Sequence, residues 1–222
     1  MKTTIKAGID QKLISFDALL GFKMPKVPKE NRATLSREEI RLLMDTCVDY
    51  KHGLVIRLLC VTGARVSEIL GLTWESVSLE RGTMTIDQSV DIKERRQKDD
   101  TKNSNSRRTI ELDARTVQLL RIHQKLMKTT VRPMKREKSL VFQAQDGRPL
   151  KYEAIRKTLR FALKKARLPH MRIHDIRHSV ITLLLEEGVA PILVATLVGQ
   201  DVATTVGRYA QKTRRGKAVC YD

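Results

Sequence analysis

Two arginines and a tyrosine stand in this sequence where plain packing would not put them. Arg65 comes two residues after Gly63, at the end of the apolar run LVIRLLCV (54–61), so its stem starts at the edge of the core. Glu68 follows three residues later and shares its helical face once a helix has begun. His174 and Arg177 are also three apart, and they open an apolar helix continuing through Val180, Leu183 and Leu184. Donors at a helix N-terminus face the same way as its free amides, which suits a phosphate. Tyr209 lies in Gly207-Arg208-Tyr209, beside cations instead of in an apolar run.

These residue types can act on a phosphodiester. Such a reaction needs a nucleophile in line, neutralised nonbridging oxygens and a proton for the leaving oxygen. Two arginines can clamp the oxygens as bidentate forks. A lysine on a hairpin tip can deliver the proton. A tyrosine hydroxyl can attack and hold the phosphoryl group covalently.

The charge distribution points the same way. The 222 residues carry 43 Lys and Arg against 25 Asp and Glu, a net charge of +18. Windows 93–108, 121–140, 151–177 and 208–217 hold net charges of +4, +6, +7 and +5, leaving the other 149 residues at −4. An evenly solvated surface would not partition like this, so a polyanion is the expected partner and binding should weaken steeply with salt. With 4 Phe, 1 Trp and 4 Tyr, a stacking platform for single-stranded bases is not expected. No apolar run is long enough for a membrane span, and the N-terminus lacks the apolar stretch of a secretory signal. Cys47, Cys60 and Cys220 are an odd set without CxxC spacing, which fits a reducing compartment better than a disulfide framework.

The elements that must position these groups are mostly helical. Residues 1–35 read as a short helical piece ending near Gly21, then a linker interrupted by Pro25 and Pro28. Ser36 and Glu39 form a capping-box pattern ahead of a stripe of Ile40, Leu43, Cys47 and Val48. A buried helix over 54–61 stops at Thr62-Gly63, and a short one runs through Val66, Ile69, Leu70 and Leu72. From 83 to 112 the period becomes two: 84–90 and 108–112 alternate as strands, with Lys102-Asn103-Ser104-Asn105-Ser106 of turn composition between them. Helices are expected at 114–128, 151–167, 174–187 (stopped by Gly188), from Pro191 to Gly199, and over 201–209. The expected class is α+β, mainly α-helical, with a small antiparallel sheet of two or three strands.

The motifs TGARVSEILGLTW (62–74), TKNSNSRRTIEL (101–112), HDIRH (174–178) and VGQDVATTVGRYA (198–210) resemble, in order and spacing, those of the tyrosine recombinase, or phage integrase, family. The resemblance covers nearly all of 31–222 and implies the fold of the DNA breaking-rejoining enzymes, a helical catalytic domain with a small three-stranded antiparallel sheet. It implies cutting and rejoining of double-stranded DNA through a 3′-phosphotyrosyl link, without metal, nucleotide or other cofactor. By that resemblance Arg65 and Arg177 hold the scissile phosphate, Glu68 orients the first arginine, and His174 assists proton transfer. Lys102 protonates the departing 5′-oxygen and Tyr209 is the nucleophile. Lys98, Arg107 and Arg108 compete with Lys102 for the hairpin role and, with Arg208, are candidate DNA contacts. The family usually has His or Trp after Leu-Gly, nine residues before the tyrosine; here Gln200 follows Val198-Gly199, an amide that can donate a hydrogen bond but cannot carry a proton charge. The resemblance further implies a homo-oligomer, a tetramer on DNA, sometimes with accessory DNA-bending proteins, in the cytoplasm with the nucleoid.

Residues 1–30 resemble only the last helix and linker of the family's N-terminal core-binding domain, so the chain is expected to be a catalytic half, 31–222, with a remnant of that domain. A DNA-binding module of the same fold, silent because of Gln200 or the missing half-clamp, is the competing expectation. A type IB topoisomerase would share the chemistry. His170, His174 and His178 have i, i+4, i+8 spacing, but Pro169 and a helix start near His174 separate the first from the others, so zinc is not expected. Asp99-Asp100 lacks a third carboxylate at recognisable spacing, no GxxxxGK[ST] is present, and Tyr221 reads as tail.

Overall fold

The structure is a computed structural model that describes residues 9–11, 13, 34–97, 107–130 and 139–207, with 128–130 described for the backbone only. The chain divides into two compact units, Met1–Asn31 and Arg32–Asp222. In the first, the described residues 9 and 10 are helical. The expected helical piece ending near Gly21 and the proline linker fall outside the described residues.

The second unit is built around one apolar helix. Helix α1 (Arg37–Cys47) starts at the expected capping box: Ser36 Oγ accepts the Glu39 N–H at 3.2 Å, and Glu39 Oε2 accepts the Ser36 N–H at 2.8 Å. Its buried stripe of Ile40, Leu43 and Cys47 lies against α2 (Gly53–Thr62). Helix α2 buries Val55, Ile56, Leu58, Leu59 and Cys60, because neighbouring helices cover it on several sides. Each such side chain contributes about 1.5–3 kcal/mol relative to exposure. Burial pushes the Cys47 thiol up to about 12 and raises that of Cys60 as well, so both remain protonated, inert packing groups. Arg57 is the polar exception on α2. Its Nε donates to Thr116 Oγ1 and its Nη2 to Asp113 Oδ1, both at 2.8 Å.

Helix α2 ends where Gly63 takes a left-handed conformation, φ +60°, and donates its N–H to Leu59 O at 3.0 Å. An added Cβ would stand 3.0 Å from Val198 Cγ1 and 3.2 Å from Val180 Cγ1. Only glycine meets both conditions. Helix α3 (Val66–Gly71) follows at once, with Arg65 as its N-cap residue, and a 3₁₀ turn at Trp74–Ser76 leads to the sheet.

Strands β1 (Val77–Ser78), β2 (Thr83–Ile86) and β5 (Arg108–Glu111) form the expected three-stranded antiparallel sheet, in order β1-β2-β5, with Met84 opposite Ile110 and Ile86 opposite Arg108. The strand expected over 84–90 is shorter. It stops at Ile86, and three residues on the backbone of Ser89 lies close against Gly71, where an added Cβ would meet the Ser89 Cα at 3.0 Å. The chain resumes as a separate hairpin of β3 (Val90–Asp91) and β4 (Arg96–Gln97). Arg95 pins that hairpin by a fork onto Asp146, both bonds at 3.1 Å, and by a bond to Pro149 O at 2.9 Å.

Helices α4 (Ala114–Thr130), α5 (Tyr152–Lys165), α6 (Ile173–Glu186) and α7 (Pro191–Val198) match the expected positions within two residues at each end. A last described helical segment covers 202–207, started by Asp201 Oδ2 accepting the Thr204 N–H at 3.0 Å. The part of the expected 201–209 helix that carries Tyr209 lies outside the described residues. Among those described, no helix is long and apolar enough to cross a membrane.

Candidate active site

The C-terminal ends of α2 and α7 meet beside the N-terminal turn of α6, and Arg177 sits at that junction, 2% exposed. Its Nη1 donates to Gly63 O at 2.8 Å and to Val198 O at 2.7 Å. Its Nη2 reaches Gly199 O at 3.5 Å and Gln200 Oε1 at 3.3 Å. The last carbonyls of a helix have no partner within it and carry the negative end of its dipole. Two such ends therefore hold this buried cation through their carbonyls.

Arg65 enters the same junction from the start of α3. Its Nη1 donates to Glu68 Oε1 at 2.7 Å and to Gly199 O at 2.9 Å, while its side chain stays 44% exposed. Glu68 is 6% exposed and also accepts the Arg65 backbone N–H at 2.9 Å. Burial pushes the Glu68 carboxyl upward, but the charge and hydrogen bond of Arg108, joined by Arg65, outweigh it and hold the carboxyl below the usual glutamate range. Glu68 thus holds both the backbone N–H and the guanidinium of Arg65.

Gln200 stands at the end of this row. Gly199 is left-handed at φ +63°, and the turn it makes lets Gln200 Oε1 accept from Arg177 while the amide Nε2 is buried without a hydrogen-bond partner. An orphaned buried donor costs about 1–3 kcal/mol, so this amide, on a side chain already bonded to Arg177, is left with an unused hydrogen-bonding capacity. His174 lies on the first turn of α6, on the same helix as Arg177, and is exposed. His170 precedes that helix, so the three histidines do not share one helical face. The described residues contain no cluster of three or more His, Cys, Asp or Glu able to hold a metal ion.

Arg108 is placed differently from the expectation of a surface contact to DNA. It is 8% exposed, with Nη2 donating to Glu68 Oε2 at 2.7 Å and Nε to Leu197 O at 2.9 Å. Its parity explains this. On β5, Arg108 shares a face with Ile110, whereas Thr109 and Glu111 are exposed. The alternation that identified the strand therefore already carried the signal that Arg108 points inward. Arg107, just before the strand, is exposed. Lys98, Lys102, Arg208 and Tyr209 lie outside the described residues.

The structure thus brings together Arg65, Glu68, Arg177 and Gln200 and adds Arg108, with the carbonyls of Gly63, Val198 and Gly199 as the anchors. Backbone carbonyls are invisible to a reading based on side-chain motifs, so no signal in the chain pointed to them.

Comparisons with known proteins bear on the family and the fold. Residues 33–215 match the phage integrase family. A "Tyrosine recombinase XerC-like" protein of Caldanaerobacter subterraneus subsp. tengcongensis is 26% identical over 94% of this chain and 59% of its own length. An "Integrase" of Streptomyces ambofaciens is 34% identical over 73% of this chain and 45% of its own. The chain therefore spans about half the length of these relatives. In fold, it is similar to the Tn1549 transposon integrase in complex with transposon right-end DNA, with a TM-score of 0.74 at 20% identity, covering 99% of this chain and 76% of that one. It is also similar to the XerH site-specific recombinase bound to palindromic difH substrate, with a TM-score of 0.64 at 24% identity over 85% and 53% of the two chains. By the extent of the family match, this chain belongs to the phage integrase family, the tyrosine recombinases.

Proposed function

We propose that the chain is the catalytic part of a site-specific DNA recombinase, a strand transferase that cleaves and rejoins double-stranded DNA. The observation that carries this reading is the convergence of Arg65, Arg177 and the unpartnered Gln200 amide around the Gly199 turn. Two guanidiniums and an amide donor suit the nonbridging oxygens of one phosphodiester. Relatives carrying the names recombinase and integrase, some of them solved on DNA, support the substrate class.

In the proposed step the Tyr209 phenol oxygen attacks the scissile phosphorus and loses its proton, with His174 assisting that transfer. The bond from phosphorus to the 5′-oxygen breaks, and Lys102 gives the departing oxygen its proton. The 3′-phosphate remains on the tyrosine until a 5′-hydroxyl reverses the same exchange. Nothing is oxidised or reduced, and no metal, ATP or other cofactor enters the step. Arg65 and Arg177 stabilise the charge that develops on the oxygens, and Gln200 adds a neutral donor. On the outer side of α5, Lys157, Arg160 and Arg156, the last paired with Glu153, line a cleft with His170 and provide net positive charge for the DNA backbone. An exposed apolar face of Ile192, Leu193, Leu197, Val202 and Val206 favours a protein partner, in this reading a second copy within a homo-oligomer on DNA.

A nicked suicide duplex tests the reading. With EDTA present and ATP absent, the natural chain should give a denaturant-resistant DNA adduct and Tyr209→Phe none. Free DNA in both denaturing lanes, with retardation preserved in a native gel, would instead make the chain a silent DNA-binding module.

A further inference from the structure

We infer that Arg108 is a positioning residue for the strand-transfer reaction: through Glu68 and the Leu197 carbonyl it fixes the Arg65 guanidinium and the 199–200 turn in one relative position. This inference rests on the function proposed above.

The contacts close on themselves. Arg108 Nη2 holds Glu68 Oε2 at 2.7 Å, and Glu68 Oε1 holds Arg65 Nη1 at 2.7 Å. Arg65 Nη1 holds Gly199 O at 2.9 Å, and two residues back along the chain Leu197 O accepts from Arg108 Nε at 2.9 Å. A closed ring of hydrogen bonds resists displacement of any one member, because moving it strains two bonds at once. Gly199 belongs to the ring for a steric reason as well. A Cβ there would overlap the Arg108 guanidinium, so the turn is built directly on that side chain.

The ring also decides charge. Without Arg108, the single negative charge of Glu68 would be spent on Arg65, and that pair would offer an anion little net attraction. With Arg108 the trio carries a net charge of +1, and Arg65 keeps its pull on a phosphate while its orientation is fixed. Because Arg108 opens β5, it also ties the sheet edge that follows the Lys102 segment to the arginine pair.

Lysine cannot replace this function, since the bonds to Glu68 and Leu197 leave from two nitrogens of one rigid plane. The groups that face Glu68 are Arg65 from α3 and Arg108 from β5, with Arg177 of α6 beyond the Gly199 carbonyl. Loss of Arg108 removes the main charge holding Glu68 ionised against its burial.

The test uses the whole chain and the suicide duplex, with native-gel retardation and thermal unfolding measured on the same samples. Arg108→Met should lower the cleavage rate constant by about tenfold to a hundredfold, the scale of a small misplacement of a catalytic group, with retardation retained. In a Glu68→Gln background the same change should cost little more, because the arginine acts through that carboxylate. The acid limb of the cleavage–pH profile should move to higher pH in Arg108→Met and stay in place in Arg108→Lys, which recovers only part of the rate. If Arg108→Met does not fold, Arg108→Lys decides by its reduced rate at an unmoved limb. A natural rate in either variant, fully additive losses with Glu68→Gln, or equal loss of retardation and cleavage would overturn the inference. Failure of the underlying function would appear separately, as the absence of any Tyr209-dependent adduct from the natural chain.

Discussion

Arg65 and Arg177 donate to the same backbone oxygen, the Gly199 carbonyl, at 2.9 and 3.5 Å. Two cations brought onto one acceptor repel each other, and in this fold that repulsion is offset by Glu68 on one side and two helix C-termini on the other. A phosphate between them would relieve it further. The arrangement is thus set up for an anion before one arrives.

Arg65→Ala should lower cleavage of the suicide duplex by about 10²–10³-fold, the usual cost of removing one donor from a developing oxyanion, while retardation changes little. Arg177→Ala should match that loss of cleavage and also reduce the unfolding temperature. It strands the Gly63 and Val198 carbonyls in a buried place, whereas Arg65 is part exposed. Equal losses of binding and cleavage in Arg65→Ala would argue against a transition-state role.

Gln200→Leu removes the orphan donor and should slow cleavage by about tenfold, the worth of one neutral hydrogen bond, without weakening retardation. Gln200→His should leave cleavage equal or raise it. It should also introduce an ionisation near the ordinary histidine value of about 6.5, absent from the natural chain's profile at this position. A large drop in Gln200→His would show a site rebuilt around the amide.

Gly63→Ala combines a left-handed backbone with a Cβ pressed against Val198 and Val180. Its expected cost is about 1–3 kcal/mol, read as a lowered midpoint in urea unfolding. Because Gly63 O anchors Arg177, cleavage per folded molecule should fall too. An unchanged midpoint would mean the three helix ends are not packed as described.

Acid should destabilise the fold in two stages. His52 and His123 have pKa values depressed first of all by burial, so the unfolded chain takes up protons more readily and stability falls as pH drops through about 6.5. Glu68 and Asp113 follow. Burial raises each, yet Arg108 and Arg65 on Glu68, and Thr116 and Arg57 on Asp113, bring both below their ordinary values. A depressed carboxyl contributes stability above its unfolded pKa and loses it as pH falls through the folded one. Urea unfolding from pH 7 down to about 3 should therefore show the gap between natural chain and Glu68→Gln widest near neutrality and closing below about pH 4.5. A constant gap would remove Glu68 from the account.

Much of this protein could be read along the chain. The Ser36–Glu39 cap, the apolar run of α2, the alternation of β5 and the glycine stops at 63, 188 and 199 are local signals, each legible within a few residues, because helix periodicity and cap chemistry act over a turn or two. The spacing of Arg65 with Glu68 and of His174 with Arg177 was local too, whereas Gln200 was singled out only by the family resemblance. What required the tertiary structure was everything that depends on which ends meet. That two helix C-termini hold Arg177, that Glu68 is shared by two arginines, and that Arg108 lies inside the site instead of on a DNA-facing surface all follow from contacts spanning 21 to 134 positions. Carbonyl anchors carry no residue identity, and a cation's direction depends on what the opposite element brings, so only the folded chain could assign them.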